Sequence, residues 1–499
     1  LERTRAFDPG YHAGDPSGLM PTIQGIRCIF LKEIGKDLRS DRRKLLHTMV
    51  KRKQRISGCS GFQQLHQYSR REMLRVGSLG ALGLSLGQVL KVEAAQKHFD
   101  SVEGPAKSVI QIILPGGIAA QETWNPKPEA PVEYRGPFGV NDTPIAGIKM
   151  GGIWPELSKI ANKLTVVRSV AGKIPDHGQA SYHMLRGYPM TPAIKHPTIG
   201  TVVNHEFERR GALPGYVSIG GGIDGETGYL GTEYGAFSTG SNPDAGTLDV
   251  RDLRLPDNIP MESFAHSQKV RNAINDTFRQ LETNPAKLDT LDAYYKQAYE
   301  MMSSDAVRDS FDLSKESAKT KERYGLGRFF ERTGGEAGMR MLLARRLVEA
   351  GARFVTLKYG SWDDHTNIKL SYENQMPAFD NALATLINDL DERGLLDSTL
   401  VWVTSEFGRT PKVNKVAGRD HWSRVFSVGM AGGGLKRGAF YGDSDITSSE
   451  IASDGVPLAD LHSTIYKLIG INSDKELMAA GDRPMEIVEG GKPVDAIIG

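Results

Sequence analysis

The C-terminal third of the chain alternates apolar runs of strand length with helical stretches, and this pattern limits the fold more than any other feature. A helix predicted over Glu336–Ala350 stops at Gly351, and the strand Arg353–Tyr359 follows at once. A helix over Tyr372–Arg393 stops at Gly394 and leads into the strand Thr399–Thr404. Glycine just past the last helical residue is the common C-cap, because it takes the left-handed conformation without a Cβ clash. Strands alternating with helices lie parallel, and the helices cover the sheet. Ser108–Leu114 (SVIQIIL) is apolar almost throughout, as in a strand buried on both faces, and Pro115-Gly116-Gly117 ends it. Leu164–Val167 and Phe426–Ala431 are further strands; Trp154–Leu164, Ile199–Arg209 and Leu458–Leu468 are further helices. The expected fold is α/β: a doubly wound, mostly parallel sheet with helices on both faces.

The segment from Gly211 to about Asn258 is rich in Gly, Ser, Asp and Pro, and Met261–Ser304 reads as a polar helix. Residues 211–335 are therefore expected to leave the core as a helical and loop excursion within one domain, 96–499. Ahead of it, Ser69-Arg70-Arg71-Glu72-Met73-Leu74-Arg75, the Gly-rich apolar stretch Val76–Leu90 and the small-residue site at Val92-Glu93-Ala94 resemble a twin-arginine signal. The signal region is placed at 49–95, and 1–48 reads as an over-extended start or a disordered segment. The apolar stretch is too short and too glycine-rich for a stable membrane span. Export through the twin-arginine machinery to the periplasm or beyond is the expectation.

Charge separates along the chain. Residues 1–95 hold 17 Lys and Arg against 8 Asp and Glu, so the acidic residues dominate after the leader. A mildly acidic body argues against a nucleic-acid partner, whose binding rests on phosphate neutralisation. The two cysteines, Cys28 and Cys59, both precede the cleavage point. A metal in the mature protein must therefore be held by imidazole and carboxylate, which suits zinc, manganese, calcium or magnesium.

Functional groups of open α/β sheets gather beyond the carboxyl ends of the strands, and several polar clusters stand there. They are Gln121-Glu122-Thr123-Trp124-Asn125, Asp176-His177, Trp362-Asp363-Asp364-His365, Ser405-Glu406-Phe407-Gly408-Arg409 and Gly418-Arg419-Asp420-His421-Trp422. Glu122, His177, Asp363, His365, Glu406 and His421 are the candidate metal ligands, since such groups on separate strand ends can converge on one divalent cation. Thr123 is the candidate nucleophile, and Arg409 the candidate holder of a substrate oxyanion. Each also has an ordinary role open to it. Glu122 suits a helix start and Thr123 a helix cap; Glu406 could pair with Arg409, His421 could stack on Trp422, and Asp420 could orient His421.

At these clusters the chain resembles a family of twin-arginine-exported proteins abundant in planctomycetes and grouped with the alkaline phosphatase/sulfatase superfamily. The resemblance rests on SRREML, LPGGIAAQETWNPKP, EYRGPFG, NKLTVVRS, HMLRGY, WDDH, TSEFGRTPKVN and GRDHW. It implies an alkaline-phosphatase-like sheet with one or two metals and a nucleophile at a helix start. Thr123 falls near that nucleophile, Asp363 and His365 resemble the Asp…His pair, Glu406 an acidic ligand and His421 a late histidine ligand. Two positions depart from the pattern: Asn125 replaces a carboxylate, and Phe407 stands where phosphatases place a histidine. No Cys or Ser occurs in a C/S-x-P-x-R context, which excludes a formylglycine-type sulfatase. The expected activity is metal-dependent hydrolysis of a phosphate or sulfate ester on a small molecule or polysaccharide. The alternative is a non-catalytic, metal-stabilised binding or cell-surface protein on the same fold.

Overall fold

A computed structural model describes residues 103–223, 225–240, 263, 296–328 and 336–499. The leader and the start region lie outside the described residues, as does most of the helix expected over 261–304; residues 296–303 of that stretch are helical.

Among the described residues, nine strands form the central sheet. In chain order they are β1 (Ser108–Ile113), β2 (Leu164–Ala171), β3 (Tyr216–Ile219), β4 (Phe237–Ser238), β5 (Phe354–Lys358), β6 (Thr399–Thr404), β7 (Phe426–Ala431), β8 (Ala439–Tyr441) and β9 (Val456–Pro457). The spatial order is β8-β2-β7-β6-β1-β5-β3-β4, with β9 also on the β2 edge. Every pairing is parallel except those of β7, which runs antiparallel to β2 and to β6. The fold class is therefore α/β with a mixed, mostly parallel sheet.

The strand period of two sends alternate side chains to opposite faces, and each face has its own helical cover. Ile110, Ile112, Val355, Leu357, Val401 and Val403 join a core with α3 (Glu336–Glu349) and α4 (Ile368–Glu392). Val109, Phe354, Leu400 and Trp402 face the other way, against α1 (His177–Arg186), α2 (Ile199–Glu206) and α5 (Leu458–Ile469). A buried aliphatic side chain contributes roughly 1.5–3 kcal/mol, so a strand apolar on both faces is held between two helical layers. In β7, a Cβ on Gly429 would lie 2.3 Å from the Trp124 ring, so this strand position has room only for glycine.

Three expectations differ from the structure. Tyr216–Ile219 lies in the stretch expected to be loop, yet all four residues are buried and the strand pairs with β5. A four-residue strand carries too few residues for its period to stand out against glycine-rich surroundings. Helix α4 starts a turn earlier than expected, because Asn367 (φ 41°) accepts a bond from Leu370 N and caps it. The helix expected over 154–164 is a short one, Pro155–Lys159, followed by a 3-10 turn at Ala161–Lys163.

Candidate metal centre

Strands β6, β1 and β5 are neighbours and parallel, so the loops after them open on one edge of the sheet. Two antiparallel steps through β7 make β2 point the same way as β6. The loop after β2 therefore reaches the same edge, where Asp176 caps α1 by accepting from Gln179 N at 2.9 Å and sets His177 as its first residue. His421 arrives on a two-stranded ribbon, opposite Arg409, just before β7 starts at that edge. Six side chains from four sequence regions thus meet.

Asp363 lies at their centre. Its Oδ1 is 3.0 Å from His365 Nε2 and 3.1 Å from His421 Nε2, and those two nitrogens are 3.1 Å apart. His177 Nε2 lies 3.3 Å from Asp363 Oδ2. His177, Asp363 and His421 offer ligand atoms all within 4.8 Å of one another. For zinc bonds of 2.0–2.2 Å at tetrahedral angles, neighbouring ligand atoms stand about 3.3 Å apart, so the spacing suits a single cation. The proton inventory points the same way. His421 Nδ1 faces the Pro175 carbonyl at 2.9 Å and must donate to it. Neutral His421 then presents a lone pair to Asp363 Oδ1, and only a second proton or a cation makes that contact attractive. Among the described residues, the buried His177 Nε2 has no hydrogen-bond partner, a state that costs free energy unless a cation or proton is supplied.

Arg409 supplies fixed charge behind the cluster. Its guanidinium is buried and donates to Asp363 Oδ1 at 2.5 Å, to Gly117 O at 2.9 Å, to Arg419 O at 3.0 Å and to Gly116 O. Partial burial works to raise the Asp363 carboxyl, but the hydrogen bond and charge of Arg409 hold it down at about 2. The group is therefore a carboxylate at any ordinary pH. Phe407, fully buried, sets an apolar wall with ring centroids 5.0 Å from His177 and 4.7 Å from His421.

Of the residues singled out in the sequence, His177, Asp363, His365, Glu406, Arg409 and His421 are brought together. Glu406 lies one layer back: its Oε1 accepts from His177 Nδ1 at 2.8 Å and from Gly116 N at 2.6 Å, not from Arg409. Glu122 and Thr123 are engaged elsewhere. Both are buried; Glu122 is paired with Arg419 at 2.8 Å, and the Thr123 hydroxyl donates to Ala119 O at 2.7 Å. Asn125 bonds Asp443 and Ser444, both at 3.0 Å. Asp420 bonds His365 at 2.7 Å rather than its neighbour His421. The Pro175 carbonyl, which sets the His421 proton, is a backbone group and carries no signal in the residue types.

A protein-family profile described as "Protein of unknown function (DUF1501)" matches residues 106–498. The chain belongs to the DUF1501 family. A search of curated proteins finds no match. Among solved structures, this DUF1501 chain is similar to a protein in the alkaline phosphatase superfamily from Vibrio parahaemolyticus, at 11% identity and a TM-score of 0.33, covering 75% of this chain and 70% of that one. It is also similar to the PsFucS1 sulfatase from Pseudoalteromonas sp., at 13% identity and a TM-score of 0.33, covering 76% and 70%. TAB5 alkaline phosphatase matches at 12% identity and a TM-score of 0.33, covering 74% and 100%. Among the described residues of this DUF1501 chain, no helix is long and apolar enough to cross a membrane.

Proposed function

We propose that this DUF1501 protein is a metal-dependent hydrolase of phosphate or sulfate esters, acting outside the cytoplasm. The observation that carries the reading is the triangle of Asp363 Oδ1, His365 Nε2 and His421 Nε2, with edges of 3.0, 3.1 and 3.1 Å. His177 closes on it from the Asp363 Oδ2 side. A set rich in imidazole with one carboxylate favours zinc or manganese over calcium and magnesium, which take mainly oxygen. When bound, a divalent cation supplies Lewis-acid polarisation of an ester oxygen.

The chain's own residues define the rest. Asp363, with its side chain 41% exposed, opens the centre to solvent, so an ester group can reach it from a small molecule or from a larger carrier. Arg409 keeps its donors on backbone carbonyls and Asp363, and its charge acts through that carboxylate rather than on substrate. Thr123 is buried with its hydroxyl committed, so water is the attacking group in this reading.

Those same two engagements favour a second reading, a non-catalytic metal-stabilised binding protein. Metal analysis of the purified protein, followed by aryl phosphates and aryl sulfates with and without chelator, separates the two. Hydrolysis that chelator abolishes and that Asp363→Ala removes supports the enzyme. Bound metal without ester cleavage supports the binding protein, and absence of metal overturns both.

A further inference from the structure

Each imidazole at the centre has its second nitrogen held by a different acceptor: His177 by Glu406 at 2.8 Å, His365 by Asp420 at 2.7 Å and His421 by the Pro175 carbonyl at 2.9 Å. We propose that Glu406 and Asp420 are positioning residues, which fix the tautomer and ring angle of His177 and His365 and do not themselves bind the cation. The inference rests on the metal reading of the site.

Glu406 carries the argument. Its side chain is 4% exposed, and Oε1 is committed within the protein. Oε1 accepts from Gly116 N and His177 Nδ1, whereas Oε2 lies 3.3 Å from Ser405 Oγ, whose hydroxyl donates to Leu114 O at 2.7 Å. The Gly116 backbone is in turn held by its own carbonyl, which accepts from Arg409. A carboxylate engaged in this way fixes the His177 proton on Nδ1 and leaves Nε2 as the lone pair. Nε2 is the atom that is buried, unpartnered and 3.3 Å from Asp363 Oδ2. Asp420 does the same for His365 from a half-exposed position, 55% by side chain, where water can substitute for it. Loss of an outer acceptor of a metal-bound histidine costs roughly 10–100-fold in metal affinity. The buried acceptor sits at the upper end of that range and the exposed one at the lower.

The test is Zn²⁺ titration of the full chain against a competing chromophoric chelator, together with the visible spectrum of the Co²⁺-loaded protein. Glu406→Gln and Asp420→Asn keep an acceptor oxygen for each imidazole. They are expected to bind Zn²⁺ within a few-fold of wild type and to leave the Co²⁺ spectrum unchanged. Glu406→Ala is expected to weaken Zn²⁺ binding by about 10–100-fold and Asp420→Ala by less. If Glu406→Gln loses as much affinity as Glu406→Ala and its Co²⁺ band shifts, Glu406 is a ligand and the proposal is overturned. Unchanged binding in a folded Glu406→Ala overturns it equally. A wild-type chain that takes up no Zn²⁺ or Co²⁺ removes the metal reading itself, and this inference with it.

Discussion

Arg419 and Glu122 form an ion pair with both side chains at 0% exposure, and its disruption gives the sharpest energetic test of the fold. Arg419 Nε donates to Glu122 Oε1 at 2.9 Å. The remaining nitrogens donate to Tyr134 O at 2.9 Å, to Thr410 O at 2.9 Å and to Pro411 O. Arg419→Met leaves a carboxylate and three carbonyls without those donors in a dry interior. Burial already raises the Glu122 carboxyl despite the attraction of Arg419, and without the arginine only a backbone hydrogen bond opposes that penalty. Removing one partner of a buried pair costs about 3–5 kcal/mol, whereas replacing both with apolar side chains is often close to neutral. Arg419→Met should therefore lose about 3–5 kcal/mol of unfolding free energy, and Glu122→Leu with Arg419→Met should recover much of that loss. Urea unfolding followed by tryptophan fluorescence measures both. An Arg419→Met protein within about 1 kcal/mol of wild type, or a double variant worse than the single one, would refute the reasoning.

Four further outcomes are expected. Gly429→Ala drives a methyl against the Trp124 ring at 2.3 Å and should cost at least about 1–3 kcal/mol by overpacking, seen as a lower urea midpoint; an unchanged midpoint contradicts the packing described. Asp380 accepts from Glu156 N and Leu157 N, and burial pushes its carboxyl up to about 7, well above the unfolded value. The folded state then holds the extra proton, so the contribution of Asp380 is present below about pH 4 and is lost as pH rises through about 7. Asp380→Asn should remove this dependence, and the urea-midpoint difference between variant and wild type should move in the variant's favour from pH 5 to pH 8; a pH-independent difference speaks against it. Chelator should lower the thermal midpoint, since a cation at 100 times its Kd adds about 2.7 kcal/mol of stability; no shift in a metal-loaded sample argues against binding to the folded state. Replacing Arg70 and Arg71 by lysine should retain the protein in the cytoplasm on cell fractionation, and undiminished export removes the leader assignment.

Much of the site was legible because its residues announce themselves locally. Asp363-x-His365, Glu406 and His421 all follow predicted strands or neighbour them, and an imidazole or carboxylate at such a position is unusual enough to notice. The distinction between ligand-facing and outer residues was not legible. Glu406 and Asp363 are the same kind of group at equivalent strand ends, yet the Gly116 N–H and His177 Nδ1 occupy Glu406 while Asp363 faces three imidazoles. Arg419 carried no warning either, although it takes up Glu122, because the two are separated by nearly three hundred residues. Thr123 was a candidate for its place in the polar cluster after the first strand and near the nucleophile that the resemblance implies, and its hydroxyl is taken up instead by Ala119 O.

The residue pattern alone determined the layered α/β architecture, because a strand apolar at successive positions must be buried on both faces and helices are what cover it. It also determined that a metal among the described residues, which hold no cysteine, is bound through imidazole and carboxylate. The tertiary structure alone decided that β7 runs against its neighbours, that Tyr216–Ile219 enters the sheet, and which nitrogen of each histidine faces Asp363. Those outcomes depend on contacts between distant segments, and hydrophobic periodicity records only whether a side chain is buried, not which partner it is buried against.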